Sequence, residues 1–342
     1  MKPVKPRSFT VSALAKPCET PLPRRRFLKT GLAAAALFAV GAPRLRGFAA
    51  AEGPLPMRVL GRTGARVSIL GLGTAPIGEA RVEPAEAARI FGEVLDRGVN
   101  FVDTAYIYGN AEEVLGGLVP SRRDRLFLVT KVWTDSAARA QEMLETSLRR
   151  LRTDHVDLVH IHHIADKDLA KVRAADGVLA YLLKQKEAGK LRFIGLSGHA
   201  RPARFLEMLE TDQIDVVMTV MNYADRFIYN FESTVLPECR KRNVGAVAMK
   251  VYAGIKGGFP NHKKGWVGCV TPPERLPQAL AYALDLEGVS VANIGPFTLE
   301  QALQNIALAR NYRPLTEAER GELLAHGREL AATLGPRYGP VA

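Results

Sequence analysis

The sequence predicts an α/β fold, a (β/α)8 TIM barrel with an N-terminal β-hairpin and an extra C-terminal helix. Eight short runs rich in β-branched and apolar residues alternate with eight amphipathic stretches of helical length. No break in composition interrupts this alternation, and residues 52–342 have the length of one such barrel. We therefore assign residues 52–342 to a single barrel domain and residues 1–51 to a leader.

The leader has the composition of an export signal. A basic segment at residues 24–29, Arg-Arg-Arg-Phe-Leu-Lys, precedes an uncharged apolar run at residues 30–43, and small residues follow up to Ala51. The basic segment resembles a twin-arginine signal with Arg24 and Arg25 as the pair. The apolar run is shorter than the about 20 residues of a spanning helix, so we expect no stable membrane span. These features predict recognition by the twin-arginine translocase, cleavage near Ala51 and a periplasmic mature protein.

The basic character of the chain is concentrated in this leader. The full sequence carries 47 Lys and Arg against 35 Asp and Glu, a net charge of +12. Residues 1–51 contain ten of the basic residues and a single acidic one, so the barrel domain is nearly balanced. Because a nucleic-acid surface needs clustered, uncompensated Lys and Arg, we expect no nucleic-acid partner. The three cysteines are too few and too scattered for a disulfide framework.

The order of the elements follows from the apolar pattern. The hairpin is predicted from runs 57–60 and 66–69, which flank Gly61-Arg62-Thr63-Gly64. The strands are predicted at residues 68–72, 99–103, 126–132, 156–162, 193–197, 216–222, 246–251 and 290–295. The helices are predicted at residues 84–97, 111–118, 137–151, 177–188, 202–209, 231–242, 273–286 and 299–309, with the extra helix at 317–334.

An open, doubly wound sheet is the competing topology for such an alternation. Its dinucleotide-binding form requires a third glycine and a helix start after the first strand. Residues 71–76 read Gly-Leu-Gly-Thr-Ala-Pro, which lacks that glycine and has Pro76 where the helix would begin. The segment therefore favours the closed barrel.

Polar residues follow three consecutive predicted strands at their carboxyl ends. The second strand ends at Asp103, with Tyr106 and Tyr108 in the next loop, the third strand contains Lys131, and the fourth reaches His162. In a parallel barrel the carboxyl ends of the strands meet on one face, where catalytic groups lie. The four residue types together indicate a site, although each alone is also common in helix caps and surface loops.

The same segments resemble a known family, the aldo/keto reductases. The resemblance runs from about residue 58 to residue 309 and implies a (β/α)8 barrel that reduces carbonyl compounds with NAD(P)H. The segments that carry it are Leu-Gly-Arg-Thr-Gly at 60–64, Gly-Leu-Gly-Thr at 71–74, Asp-Thr-Ala at 103–105 with Tyr-Gly at 108–109, Val-Thr-Lys at 129–131, Asp-Leu at 157–158 with Ile-His at 161–162, and Ile-Gly-Leu-Ser at 194–197.

The resemblance implies a catalytic tetrad of Asp103, Tyr108, Lys131 and His162. The residue types suit this chemistry, since hydride addition to a carbonyl builds an alkoxide that needs a proton donor. A free phenol has a pKa of about 10, and we expect Lys131 to lower the pKa of Tyr108. Asp103 would hold Lys131, and His162 would orient the carbonyl oxygen. Tyr106 is the alternative donor.

The cofactor side departs from the family pattern. Family members commonly hold the nicotinamide with Ser-Asn after the fifth strand and with Gln and an aromatic residue on the sixth. Here Gly198, Met218 and Met221 occupy the last three of those positions, which predicts a weaker hold on the cofactor. The cofactor-binding residues that the resemblance implies are Gly73, Thr74, Ser197, Asn222, Gly295, Thr298, Gln301 and Asn305.

The last strand leads into a helix start that suits a phosphate, with Gln301 and Asn305 one turn apart to contact the adenine. Thr298 stands where an arginine for the 2′-phosphate is expected. The family favours NADP as cofactor, and NAD stays an alternative.

Two other functions compete with carbonyl reduction. His160 and His162 lie on the same side of a strand, as in zinc hydrolases, but the eighth strand supplies no carboxylate, so we expect no metal. A nucleotide-binding barrel with a regulatory role and little turnover is the second alternative. We expect a small-molecule carbonyl substrate, whose identity, like the oligomeric state, the sequence leaves open.

Overall fold

The strands of the barrel are buried on both faces. All six residues of Phe127–Val132 and all six of Val156–Ile161 are buried, which is typical of parallel strands covered by helices outside and filled by side chains inside. Eight parallel strands form the closed barrel, and the predicted fold class is confirmed.

The computed structural model describes residues 53–258 and 268–342. The predicted export signal lies outside these residues. The hairpin strands are β1 (Met57–Val59) and β2 (Arg66–Ser68). The barrel strands are β3 (Leu70–Gly73), β4 (Phe101–Asp103), β5 (Phe127–Val132), β6 (Val156–Ile161), β7 (Leu191–Gly198), β8 (Val216–Val220), β9 (Gly245–Met249) and β10 (Val289–Ile294). Their order around the barrel is β10-β3-β4-β5-β6-β7-β8-β9.

Helices surround the barrel and bury one face of each against it. In the helix Ala137–Leu151 the buried side chains include Ala140, Met143, Leu144 and Leu151, which follow the helical repeat. The helices are α1 (Ala75–Glu79), α2 (Pro84–Asp96), α3 (Ala111–Leu115), α4 (Ala137–Leu151), α5 (Leu169–Arg173), α6 (Val178–Glu187), α7 (Pro202–Leu209), α8 (Phe231–Lys241), α9 (Leu276–Asp285), α10 (Leu299–Arg310) and α11 (Glu317–Leu334).

The hairpin covers the amino end of the barrel, as predicted. Strands β1 and β2 pair antiparallel, with Met57 opposite Ser68. Arg58 fixes the hairpin by donating to the carbonyl oxygens of Leu284 and Val289, both at 2.7 Å. Gly61 has a φ of +48°, and a Cβ there would lie 2.3 Å from the backbone nitrogen of Gly245. Only glycine therefore allows the hairpin to lie this close to β9.

Two short helices differ from the sequence prediction. Pro76 does not prevent a helix after the first barrel strand, because it lies in the first turn of α1. A proline is tolerated there, since the amide it lacks has no partner within the helix. The other helix, α5, was not predicted; the carboxylate of Asp168 caps it by accepting from the amides of Ala170 and Lys171.

The extra helix α11 begins with a capping box between Thr316 and Glu319. Its Gly327 packs against the backbone of Tyr223, where a Cβ would lie 2.1 Å from the carbonyl oxygen. Among the helices in residues 53–258 and 268–342, none is both long and apolar enough to cross a bilayer.

Candidate active site

Three neighbouring strands bring the predicted site residues to one face of the barrel. Asp103 is the last residue of β4, Lys131 lies near the end of β5, and His162 directly follows β6. The register pairs Asp103 with Val129 and Lys131 with His160. Because the strands are parallel and adjacent, these three side chains emerge at the same rim.

A buried ion pair forms the centre of the cluster. Lys131 Nζ lies 2.5 Å from Asp103 Oδ1 and donates to the carbonyl oxygen of Thr104 at 2.8 Å. Asn293 on β10 donates to the other carboxylate oxygen at 2.9 Å. Burial raises the pKa of Asp103 and lowers the pKa of Lys131, and the attraction between the two charges opposes both shifts.

Tyr108 completes the cluster from the loop after β4. Lys131 Nζ lies 4.6 Å from the centroid of the Tyr108 ring, and the ring meets His162 edge-on at a centroid distance of 5.8 Å. The turn depends on Gly109, which has a φ of +53°. A Cβ added at this position would lie 1.9 Å from the carbonyl oxygen of Gly78. The structure thus brings the four residues of the predicted tetrad together.

Tyr106 has a different environment. Its ring lies under two guanidinium groups, with Arg150 at 5.0 Å and Arg139 at 5.8 Å from the centroid. Both arginines belong to α4, on the outside of the barrel. This placement favours Tyr108 over Tyr106 as the phenol of the site.

The electrostatics of Tyr108 correct one expectation. Burial raises the pKa of Tyr108 well above its ordinary value, and the carboxylates of Asp103 and Glu79 add to this shift. The prediction that the Tyr108 pKa lies below its ordinary value is therefore wrong for the protein alone. The physical reason is that desolvation has the largest effect, and that Asp103, 2.5 Å from Lys131 Nζ, offsets much of the stabilisation that the Lys131 charge gives to a phenolate.

His162 is a buried imidazole. Only 3% of the residue is exposed, and its Nδ1 atom has no hydrogen-bond partner among the described residues. Burial lowers the pKa of His162 well below its ordinary value, and the Lys131 charge adds to this effect. The imidazole is therefore neutral near neutral pH.

The neighbouring His160 lies inside the barrel rather than at its rim. It is fully buried and packs against Gly195, where a Cβ would lie 2.4 Å from the imidazole Nδ1 atom. No group of three or more His, Cys, Asp or Glu side chains with the arrangement of a metal site occurs in the part of the chain that the structure describes.

Ser197 offers the clearest feature for a cofactor amide. It lies on β7 and is 1% exposed, and its hydroxyl oxygen has no hydrogen-bond partner within residues 53–258 and 268–342. A buried hydroxyl without a partner costs free energy, and an amide ligand would satisfy it. The residues present therefore fit a nicotinamide group at this position.

Gly73, Thr74 and Gly295 form a close contact between the first and last barrel strands. A Cβ on Gly73 would lie 3.1 Å from the backbone nitrogen of Gly295. The Thr74 hydroxyl is fully buried and donates to the carbonyl oxygen of Asp103 at 3.0 Å. Thr74 thereby supports the strand end that carries the Asp103 carboxylate.

Asn222 has a different role from the one predicted. Its side-chain nitrogen donates to the carboxylate of Asp225 at 2.6 Å and to the carbonyl oxygen of Lys250 at 3.0 Å. Its oxygen accepts from the backbone amides of Ala224 and Asp225. An asparagine side chain has two N–H donors and two acceptor positions on its oxygen. These four hydrogen bonds already use all of them. Asn222 is therefore a structural residue of the loop after β8, which corrects its assignment to the cofactor.

A helix, α10, begins at Leu299 after β10 as predicted, and the role of Gln301 and Asn305 at the adenine stays a prediction. Thr298 caps α10 by accepting from the amide of Gln301, and the Gln301 side chain accepts from the amide of Phe297 at 2.9 Å. The buried Asn305 accepts from the hydroxyl of Tyr252 at 2.9 Å. The first amides of a helix have no acceptor within it, so this end suits a phosphate group.

Sequence reasoning missed two residues of this rim. The first is Asn293, one of two polar residues in β10, and its position near the carboxyl end of an otherwise apolar strand was the available signal. Lys250 follows β9 with a φ of +57°, and burial lowers its pKa to about 8. No sequence pattern marks Lys250, because its burial depends on the loops around it.

A match to a known family accompanies this geometry. Residues 69–264 match the sequence profile of the aldo/keto reductase family. The chain belongs to the aldo/keto reductase family. This aldo/keto reductase is therefore an NAD(P)H-dependent oxidoreductase that reduces carbonyl groups, and the alternative of a regulatory nucleotide-binding barrel is not favoured.

Relatives with known names and structures support the assignment. L-galactose dehydrogenase of Arabidopsis thaliana is 28% identical over 288 residues, which cover 74% of this aldo/keto reductase and 88% of the relative. The 6-dehydroglucose reductase of Novosphingobium aromaticivorans is 32% identical over 170 residues, 43% of this chain and 54% of the relative. An aldo-keto reductase from Bacillus halodurans, solved in its holo form, superposes with a TM-score of 0.64 at 27% identity and covers 79% of this chain and 96% of that one.

Proposed function

We propose that Tyr108 is the general acid of carbonyl reduction in this protein, supported by Lys131, Asp103 and His162. The observation that carries this role is the convergence of the phenol, ammonium, carboxylate and imidazole at one rim, with Lys131 Nζ 4.6 Å from the Tyr108 ring centroid. The reduced nicotinamide, when bound, supplies the hydride. Tyr108 then donates its hydroxyl proton to the carbonyl oxygen.

The raised pKa of Tyr108 is compatible with this role. It keeps the phenol protonated before the reaction, so the donor is in its required state near neutral pH. The developing alkoxide is a stronger base than a phenolate and takes the proton. Lys131 lies against the ring, where its charge stabilises the phenolate that remains. His162 is neutral and at the edge of the ring, so it orients the carbonyl oxygen by a hydrogen bond.

We propose NADP as the cofactor, held through its nicotinamide by Ser197 and through a phosphate by the amino end of α10. The unsatisfied hydroxyl of Ser197 supports the first contact, and the helix start at Thr298 supports the second. The family's common use of NADP supports the phosphorylated form. Titration of the purified protein with NADPH and NADH, followed by fluorescence, tests the preference, and tighter binding of NADH would overturn it.

The Ser197→Ala variant is expected to weaken nicotinamide binding about 2- to 10-fold, which corresponds to the net contribution of one hydrogen bond. We expect no loss of thermal stability, because the Ser197 hydroxyl has no partner in the described protein. The matched control is Ser290→Ala at the opposite end of the barrel, whose hydroxyl donates to the carbonyl oxygen of Val59 at 2.8 Å. Ser290→Ala should lower the thermal stability and leave the nucleotide affinity unchanged. A Ser197→Ala protein that loses stability and keeps its nucleotide affinity would show that Ser197 does not bind the cofactor.

We propose a sugar-like aldehyde or ketone as the substrate. The names of two relatives, L-galactose dehydrogenase and 6-dehydroglucose reductase, support this class. Trp133 also supports it, since it is 41% exposed at the rim beside His162 and offers an aromatic surface for a sugar ring. The direct test measures substrate-dependent NADPH oxidation with sugar-derived and simple carbonyl compounds and identifies the alcohol formed. Absence of alcohol with every carbonyl compound would contradict the proposed reaction.

We propose export through the twin-arginine route, which the order of residues 24–29 supports. Replacement of both Arg24 and Arg25 by Lys is expected to keep the protein in the cytoplasm. Mass spectrometry of the exported wild-type protein should show a mature amino terminus near residue 51. A periplasmic protein that still begins at Met1 would contradict this proposal.

A further inference from the structure

The last eight residues cross the rim of the barrel. After α11 ends at Leu334, residues 335–342 form a C-terminal strap. Arg337 attaches it through two hydrogen bonds to the Asp225 carboxylate, both at 2.9 Å, and a third to the carbonyl oxygen of Ala253 at 3.0 Å. The Asp225 side chain is fully buried and that of Arg337 is 14% exposed. Removing either partner of such a buried ion pair strongly destabilises a protein, because the other charge stays buried without its partner. The pair therefore holds the strap firmly in place.

Further contacts tie the strap to the loop after β7 and to the loop after β8. The amide of Tyr338 donates to the hydroxyl of Tyr229 at 2.7 Å, and that hydroxyl donates to the carbonyl oxygen of Gly339 at 3.2 Å. The amide of Arg201 donates to the carbonyl oxygen of Pro340 at 3.2 Å. With the bond to Ala253, the strap connects the loops after three successive strands.

Gly254 makes room for the Tyr338 side chain. A Cβ on Gly254 would lie 2.3 Å from the Tyr338 hydroxyl oxygen, and the φ of Gly254 is +79°. Glycine is therefore required there on both grounds. The guanidinium of Arg337 lies 4.4 Å from the centroid of the Tyr338 ring, so the same arginine fixes the strap and contacts the tyrosine.

The Tyr338 ring lies between Tyr229, whose ring stacks on it at 5.9 Å, and a row of rings that reaches His162. It lies 5.2 Å from the ring of His199, which lies 4.9 Å from the ring of His163. His163 in turn stacks on Trp133 at 5.0 Å and lies 4.8 Å from His162. All these distances are within the range of favourable ring contacts.

We propose that Tyr338 is a positioning residue for carbonyl reduction: it covers the His199 side of this row of rings and keeps His162 oriented and away from water. The proposal rests on the proposed function, because it assigns His162 the role of orienting the carbonyl oxygen. Tyr338 acts through His199 and His163 and does not itself touch the reacting atoms.

The charges around the row explain why exclusion of water matters. His163 faces Asp166, whose carboxylate lies 3.8 Å from its Nδ1 atom, as well as Lys167, Lys250 and Lys131. His162 faces Lys131 and the other imidazoles of the rim. Burial lowers the pKa of His163 to about 4, so this ring is neutral in the intact protein at physiological pH. A proton on it would add a second cation close to Lys131.

Removal of the Tyr338 ring is expected to admit water to His199 and His163. Since burial is the largest cause of the lowered pKa of His163, hydration moves that pKa upward from about 4 toward the ordinary value near 6.5. Imidazolium then forms as the pH falls below this new value, where the intact protein keeps the neutral ring. The variant should therefore lose kcat about tenfold for each pH unit below the new pKa, and the wild type should not.

The experiment compares Tyr338→Ala with Tyr338→Phe in the full protein. Proton NMR follows the imidazole C–H signals of the seven histidines between pH 4 and 8, without substrate or cofactor. We expect at least one rim histidine to titrate at higher pH in Tyr338→Ala and to return to the wild-type position in Tyr338→Phe, which keeps the ring. Tyr312→Ala, at the amino end of the barrel beside Arg58, is the matched control and should leave the signals in place.

The outcomes separate this inference from the proposed function. Identical histidine titrations in the wild type and Tyr338→Ala would overturn the positioning role, whatever the activity. A shifted titration in a protein that reduces no carbonyl compound would keep the role of Tyr338 in covering the imidazoles and overturn the proposed reaction. A shifted titration with an unchanged pH profile of kcat would show that the row of rings does not serve His162, and would also overturn the positioning role.

Discussion

Tyr108→Phe is expected to lower kcat for carbonyl reduction by about 10²- to 10⁴-fold, the usual contribution of a positioned general acid. The substitution removes only the hydroxyl group. The ring keeps its contact with Lys131 at 4.6 Å and its edge-on contact with His162. We therefore expect the thermal stability and the affinity for NADPH to stay close to the wild type. Initial rates of NADPH oxidation with a saturating carbonyl compound measure the effect.

The control for this prediction is Tyr106→Phe, two residues earlier in the same loop. The Tyr106 ring lies against the guanidinium groups of Arg139 and Arg150 on α4, so the variant should keep most of the activity. A Tyr108→Phe protein that works at the wild-type rate would eliminate Tyr108 as the proton donor. A large loss in Tyr106→Phe instead would transfer the role to Tyr106.

Lys131→Met is expected to affect both activity and stability. In the variant the Asp103 carboxylate stays buried, loses its ion pair with Lys131 and keeps the hydrogen bond from Asn293. Breaking a buried ion pair from one side costs about 3–5 kcal/mol of unfolding free energy. Loss of the charge that stabilises the Tyr108 phenolate should lower kcat by about two orders of magnitude as well.

The pH dependence of this variant follows from Asp103. Burial raises the pKa of Asp103, and without Lys131 nothing of that ion pair opposes the shift, so the pKa rises further. Above a pH of about 4 the unfolded chain releases the Asp103 proton, while the folded variant still holds it. Stability is therefore lost as the pH rises through that window, and urea denaturation should show a larger deficit at pH 8 than at pH 5. The double variant Asp103→Asn with Lys131→Met removes both charges and should recover most of the stability but none of the activity. Equal deficits at both pH values would contradict a charged Asp103 as the cause.

The sequence predicted the barrel because its determinants are local. The helices α4, α7 and α11 have the predicted bounds, since α4 and α7 have a clear apolar repeat and α11 begins at the capping box of Thr316. The strands differ by a few residues at their ends, where the pairing with neighbours decides the boundary. The short helices α1 and α5 were not predicted, because one turn of helix carries too little periodicity to be read from sequence.

The residues of the site were predicted through their positions at strand ends, and their environments were not. Asp103, Lys131 and His162 lie together because the topology forces adjacent parallel strand ends to meet. The direction of the Tyr108 pKa depends on desolvation and on compensation of Lys131 by Asp103, both of which are properties of the folded state. The saturation of Asn222 and the contact of Tyr338 with His199 likewise arise from pairings between segments far apart in the chain.

The C-terminal strap also bears on how the protein matures. Residues 335–342 follow all the strands of the described barrel in the chain, so they can pack on its rim only after those strands have been made. Until then the loops after β7, β8 and β9 lack the contacts that Arg201, Tyr229 and Ala253 make with the strap. A chain cut before residue 335 would keep every strand and helix that the structure describes in residues 53–258 and 268–334 and would lose these contacts.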